Sequence, residues 1–246
     1  MNLLKHQLEM VTKEPLTIKL IQDPCKEIQL AAVKQSGDII QYIKNPDKDV
    51  QIEAVRKSGP AIQYIEDPDE DVQIVAVRQN GYSIRYINDP QYAVQILAVQ
   101  EDAYAIQHIK NPDLILQMIA INSHGFIIKY IKNPSMAIQL LAITKDKNTI
   151  AHIINPHKDV QLYSMGQDGC NIRHIQNPDT EVQLAAVRQD GLAIQYIDNP
   201  SKEIQLAAIC QNPYAVLYIK GDILVSINNE LRYIIDTVKL MNGEAN

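Results

Sequence analysis

The sequence predicts an all-α fold, an α-solenoid of ten 22-residue two-helix repeats plus a C-terminal capping helix. Three observations predict it. An Asn-Pro or Asp-Pro dipeptide begins at Asp23, Asn45, Asp67, Asp89, Asn111, Asn133, Asn155, Asn177 and Asn199, each 22 residues after the last. A glutamine keeps the same register from Gln7 through Gln29, Gln51, Gln73, Gln95, Gln117, Gln139, Gln161 and Gln183 to Gln205. Between these markers the apolar residues fall on a helical rather than an alternating pattern, as in Val50, Ile52, Ala54 and Val55. An unbroken period of this length marks stacked supersecondary units that share one core.

Counting from the Asn or Asp as position one, each repeat opens with N-cap chemistry followed by proline, the residue best tolerated at the first helical position. A first helix, helix A, of roughly eleven residues is expected from there. The usual glycine at position fifteen, such as Gly59, is expected to stop it. A second short apolar segment, AIQYI over residues 61–65, is expected to form helix B and to end where the next Asp-Pro restarts the cycle. Neither helix is long enough to hide an apolar face alone, so neighbours must stack in the HEAT-like manner. At 100° per residue, positions six, seven, eight, ten and eleven form one arc of helix A with the glutamine in its middle. That places the glutamines in the core, where they need backbone or side-chain partners. The expected organisation is a ten-repeat solenoid over 1–220 and a capping helix over 221–246, in one domain; NNELRYIIDTVKLM reads as the closing helix, capped by Asn228 or Asn229.

Composition bounds the function. With 46% hydrophobic and 21% charged residues the chain can build a core, and no apolar run approaches a membrane span. No membrane role is expected. The opening MNLLKHQLEM lacks a secretory pattern, and Cys25, Cys170 and Cys210 have no metal or disulfide spacing, so the expected location is the cytoplasm. A net charge of −6 opposes indiscriminate binding to nucleic acid but leaves a local basic stripe open.

Residues 177–198, NPDTEVQLAAVRQDGLAIQYID, carry the core AAV-(K/R)-Q-x-G followed by Q-Y-(I/V), and the same core spans Ala31 to Gly37. In this the chain resembles the DUF4116 repeat family, tandem units found in bacterial, bacteriophage and giant-virus proteins. The resemblance covers nearly the whole chain; Gln stands where the family often has Cys, and the Asn/Asp-Pro opening is unusually regular. It implies a helical repeat scaffold and supplies no catalytic residue. Virus or phage genomes among the family's sources suggest a protein that blocks or sequesters a host defence factor.

Ten internal copies provide their own standard, and clustered departures from it point to function. Positions five, nine and twelve of helix A are expected to face solvent and are polar or small in outer repeats, as in Asp49, Glu53 and Arg56. In three central repeats the charge disappears at positions five and nine, giving Ala93 and Leu97, Ile115 and Ile119, and Ala137 and Leu141. Position four changes with them to Tyr92, Leu114 and Met136. An apolar surface of this extent asks for a cover. The order Ala/Leu, Ile/Ile, Ala/Leu reads alike in both directions, which suits a homodimer; a host or other partner protein is the alternative cover.

On helix B the central repeats collect Arg85, Lys110, Lys129, Lys132 and Arg173 at positions nineteen and twenty-two, with His108, His152 and His174 at position twenty. This groove suits an anion or an acidic partner, and it supports a second reading as a nucleic-acid or nucleotide binder. Adjacent repeats stand a helix spacing apart, so no metal site is expected from His152 and His174. There is no phosphate loop and no nucleophile-base spacing. The expected function is therefore a non-catalytic protein-binding scaffold, without catalytic residues or cofactors.

Overall fold

The computed structural model describes residues 3–219, 233, 236–238, 240 and 241. Every repeat pairs one α-helix with one six-residue 3-10 helix, and no strand occurs among the described residues. Two compact units, 1–132 and 133–246, each have their own contacts. In the first, α1 to α6 are Leu3–Lys13, Lys26–Gln35, Lys48–Lys57, Glu70–Gln79, Tyr92–Glu101 and Leu114–Ser123. The intervening 3-10 helices, η1 to η6, are Pro15–Leu20, Gly37–Tyr42, Gly59–Tyr64, Gly81–Tyr86, Ala103–His108 and Gly125–Tyr130. The second unit holds α7 to α10, Met136–Lys145, Lys158–Gln167, Thr180–Gln189 and Lys202–Gln211. Its 3-10 helices, η7 to η10, are Lys147–His152, Gly169–His174, Gly191–Tyr196 and Pro213–Tyr218. Within each unit successive α-helices pack side by side, and each 3-10 helix packs on the next.

The start of helix A differs from the expectation. The Asn or Asp before each proline is not a cap but a left-handed residue, with φ between 45° and 54° at all nine sites. Asn and Asp tolerate this conformation better than other residues with a side chain, which explains why only they occupy position one. Proline leads the chain out of the turn, the cap falls at position three, and the helix runs ten residues from position four. Asp113 and Asp179 cap through the side chain, accepting from Leu116 N at 2.9 Å and Val182 N at 3.0 Å.

The recurring glutamine closes that turn. From Gln29 to Gln205 its Nε2 donates to the carbonyl of the proline five residues back, at 2.8 to 2.9 Å in every repeat. The side chain is therefore an intra-repeat clasp rather than a ladder between repeats, and most copies are half-buried; Gln139 is buried, and its Oε1 also accepts from His157 N at 3.0 Å.

The glycine at position fifteen also has a different reason from the expected one. Helix A ends at position thirteen on an extended residue, and the glycine starts the 3-10 helix. A Cβ on Gly59 would stand 2.6 Å from the Ala76 carbonyl oxygen of the next repeat and 2.7 Å from Ser83 Oγ, so the site admits no side chain. Gln79 Oε1 completes the contact by accepting from Gly59 N at 2.7 Å, a bond repeated at Gly169 and Gly191. Asn80, Asp102, Asp146, Asp168, Asp190 and Asn212 at position fourteen cap the 3-10 helices through their side chains.

Positions six, ten and eleven of helix A and seventeen, eighteen and twenty-one of helix B form the core, for example Val50, Ala54, Val55, Ala61, Ile62 and Ile65. Of the closing segment, Tyr233, residues 236–238, Leu240 and Met241 are helical. Its expected caps, Asn228 and Asn229, lie outside the described residues.

Two stability predictions follow from this geometry. Gly59→Ala is expected to cost about 1–3 kcal/mol through overpacking, whereas Gly166→Ala, on an α8 face with nothing within 4 Å of the added methyl, should gain about 0.5–1 kcal/mol. Urea melts of the two variants check the pair; equal effects would remove the close-approach explanation. Gln51→Leu strips the Pro46 carbonyl of its donor and should lower stability by about 1 kcal/mol in the same assay.

Candidate functional site

On the helix-A side, positions three to five do more in the outer repeats than meet solvent. Lys26 bridges to Asp49 and Asp47 of the next repeat, Lys48 reaches Asp71 at 2.6 Å and Asp69 at 3.3 Å, and Lys158 reaches Glu181 at 2.6 Å and Asp179 at 2.9 Å. These bonds raise the three ammoniums above the ordinary lysine range and lower Asp49 and Asp179. As exposed pairs they contribute little stability but set a pattern of straps between neighbours.

In the first unit the pattern changes at α5 and α6. Tyr92 keeps a strap in neutral form, its Oη donating to Asp113 Oδ2 at 2.8 Å. That bond raises the Tyr92 pKa, while the backbone N–H of Leu116, followed by the Tyr92 hydroxyl among favourable contacts, holds Asp113 low. Tyr92 is thus both an apolar edge and a link between repeats. Next to this link, Leu114 is 53% and Ile115 55% exposed, with Met118 at 44%; Ala93 is also exposed. Leu97 and Ile119 at position nine are half-buried rather than exposed. In the second unit Met136 and Ala137 are exposed and Leu141 half-buried, and Tyr163 is exposed. Met118 sits on the core arc by sequence pattern, and only its exposure identifies it as surface.

On the helix-B side, equivalent grooves open between consecutive 3-10 helices. The groove between η5 and η6 has a volume of about 460 Å³ and brings together His108, Lys110, Tyr130 and Lys132 with Asn111 and Gln117. A second, of about 340 Å³, joins His152 and His174, and a third, of about 570 Å³, is lined by Arg173 and Tyr196. The sequence-predicted basic residues are therefore divided among sites: Lys110 and Lys132 share one groove, whereas Arg85 and Lys129 do not line it. Arg85 lies 4.9 Å from the Tyr86 ring centroid and 5.2 Å from that of Tyr82, and Lys129 lies 4.8 Å from the centroid of Tyr130.

Position sixteen supplies aromatic residues that the sequence reading did not single out. Tyr82 meets His108 edge-on at 4.6 Å, and Tyr104 meets Tyr130 at 5.9 Å. The signal was present in three consecutive repeats as Tyr82, Tyr104 and Phe126, at a position that elsewhere holds Leu16, Asp38, Pro60, Asn148, Cys170 and Leu192, with a further tyrosine, Tyr214, in the last repeat. Burial pushes the Cys170 thiol up to about 11, helped by its hydrogen bond to Asp190, so at neutral pH it is a thiol rather than a nucleophilic thiolate. Among the described residues no group of three or more His, Cys, Asp or Glu could hold a metal, and no helix is long and apolar enough to cross a membrane.

The fold is that of an all-α tandem-repeat protein of solenoid type. Residues 47–90, spanning the third and fourth repeats, match the family model described as "Domain of unknown function (DUF4116)", which supports the resemblance; the cores at Ala31 to Gly37 and Ala185 to Gly191 lie outside this stretch, where the same positions read EAVRKSG and VAVRQNG. No curated protein and no solved structure matches the chain.

Burial, and then the positive charge of Arg85, hold the His108 imidazole below its ordinary range. The unfolded chain therefore binds this proton more readily than the folded one, so stability is full above the usual histidine range near pH ~6.5 and declines as pH falls through it. Arg85→Gln removes a repelling charge and should raise the His108 pKa, which an NMR titration of the ring protons measures. A titration midpoint that does not move on this substitution would assign the shift to burial alone.

Proposed function

We propose that this chain is a non-catalytic protein-binding scaffold that associates with a second copy of itself through the apolar surface of helix A. The observation that carries the reading is the pair Leu114 and Ile115, each more than half exposed on a face where outer repeats place charge. Large exposed aliphatics grouped in this way are unusual on a free surface, and each one buried in an interface contributes roughly 1.5–3 kcal/mol before the costs of association. A second copy is favoured over a foreign protein by the sequence order of the departures, Ala93 and Leu97, Ile115 and Ile119, Ala137 and Leu141, which is self-complementary about the middle pair. The resemblance to repeats from phage and giant-virus proteins fits a complex whose remaining surface engages a host protein.

Leu114→Lys with Ile115→Asp places charges on two exposed side chains that take no part in the core, so the variant should fold with an unchanged far-ultraviolet spectrum. Sedimentation equilibrium is expected to give twice the chain mass for the wild type and the single mass for the variant. A wild type that sediments as a monomer in the micromolar range would reject self-association.

A further inference from the structure

These three helix-B grooves are built alike, each from positions twenty-one and twenty-two of one repeat, the Asn-Pro and glutamine of the next, and its position twenty. Their chemistry is not alike. At position twenty-two the η5–η6 groove has Lys110 and Lys132, whereas the second has Ile154 and Gln176 and the third Gln176 and Asp198. Two consecutive lysines thus converge on one groove of a chain whose net charge is −6. No acidic residue lines this groove, and neither lysine is ion-paired among the described residues.

The remaining lining has a different character. Tyr130 carries an aromatic ring on the groove, braced by Tyr104 at 5.9 Å and Lys129 at 4.8 Å. Asn111 and Gln117 add amides; Gln117 spends its Nε2 on the Pro112 carbonyl, which leaves its Oε1 able to accept. Two ammoniums suited to phosphate as point charges, a ring suited to stacking and amides suited to base edges occupy one cavity. Its volume of about 460 Å³ falls within the span of small-ligand sites, about 300–1,000 Å³.

From this we infer a second binding site in the first unit: the groove between η5 and η6 takes a nucleoside phosphate, either free or as one residue of a single strand, with Lys110 and Lys132 on the phosphate and Tyr130 against the base. An acidic peptide would use the lysines alone and gain nothing from the ring and amides. Its lysines and its ring belong to helix B, and of its lining residues only Gln117 comes from α6, the helix that carries Leu114 and Ile115.

The test measures fluorescence anisotropy of a short fluorescein-labelled oligouridylate and of N-methylanthraniloyl AMP with the full chain. Binding of AMP assigns a free nucleotide, and binding of the oligonucleotide alone assigns a single strand; either supports the site. Lys110→Glu with Lys132→Glu should weaken binding by at least tenfold, while Lys34→Glu on helix A leaves it unchanged. Neutralising Lys110 and Lys132 to Gln should reduce the salt slope for the oligonucleotide by about 0.7 per lysine. Tyr130→Leu should weaken both probes several-fold; should that variant fail to fold, competition by polyglutamate decides, because a stacking site is not emptied by charge alone. Binding of neither probe, equal displacement by polyglutamate, or full affinity in the lysine variants would overturn the inference.

Discussion

At Gly37, Gly59, Gly81, Gly169 and Gly191 a backbone approach that leaves no room for a Cβ governs how successive repeats meet. Where Gly59 packs on the Ala76 carbonyl, helix A of one repeat and helix B of the one before come together at main-chain distance. The rest of the repeat serves that contact. Alanine at position ten keeps the receiving helix slim, and the fourteenth residue is extended to turn the chain sharply into a 3-10 helix. At the other end, the left-handed Asn or Asp and the proline after it redirect the chain into the next helix, and the glutamine clasp satisfies the proline carbonyl that this turn exposes. Each device is local, so copying 22 residues copies the geometry.

Because the scaffold is self-repeating, side chains outside these devices are free to vary, and their variation is organised by face. On helix A, lysine-to-carboxylate straps connect outer neighbours. At α5 and α6 a neutral Tyr92–Asp113 bond replaces one strap, and aliphatic side chains take the positions of the charges. On helix B the same region gathers aromatic residues and cations, Arg85 and Lys129 among them lying over tyrosine rings. One short stretch therefore departs from the consensus on both sides, with an apolar surface on one and a basic, aromatic groove on the other. Both surfaces change in this way while the core positions keep their apolar residues.

Much of this was legible in the residues themselves. The period, the helical class, the core at positions six, ten and eleven, the two regions of departure and most of the residues in them follow from pattern, because burial in a stacked repeat selects small and aliphatic side chains at fixed intervals; position eight, expected in the core, is half-buried, and Met118 there is exposed. The boundaries were not legible. Asn-Pro is an ordinary helix-start signal, and nothing local distinguishes a cap from a left-handed turn two residues before the cap. Glycine after a helix likewise reads as a stop, although its reason here lies in the neighbouring repeat.

What the sequence by itself determined, then, is the repeat: its length, its two helices and which positions are apolar, since these depend on contacts within 22 residues and their copies. Tertiary structure alone decided what a side chain meets across the junction. At position nine Leu97 and Ile119 are half-buried, while Leu114 and Ile115 remain open. Tyr92 finds Asp113 twenty-one residues away, and Tyr104 braces Tyr130. Lys110 and Lys132 share a cavity that Arg85 and Lys129 do not line. The physical reason is common to all of these: exposure and pairing are properties of the space between two repeats, and that space is set by how closely their backbones approach.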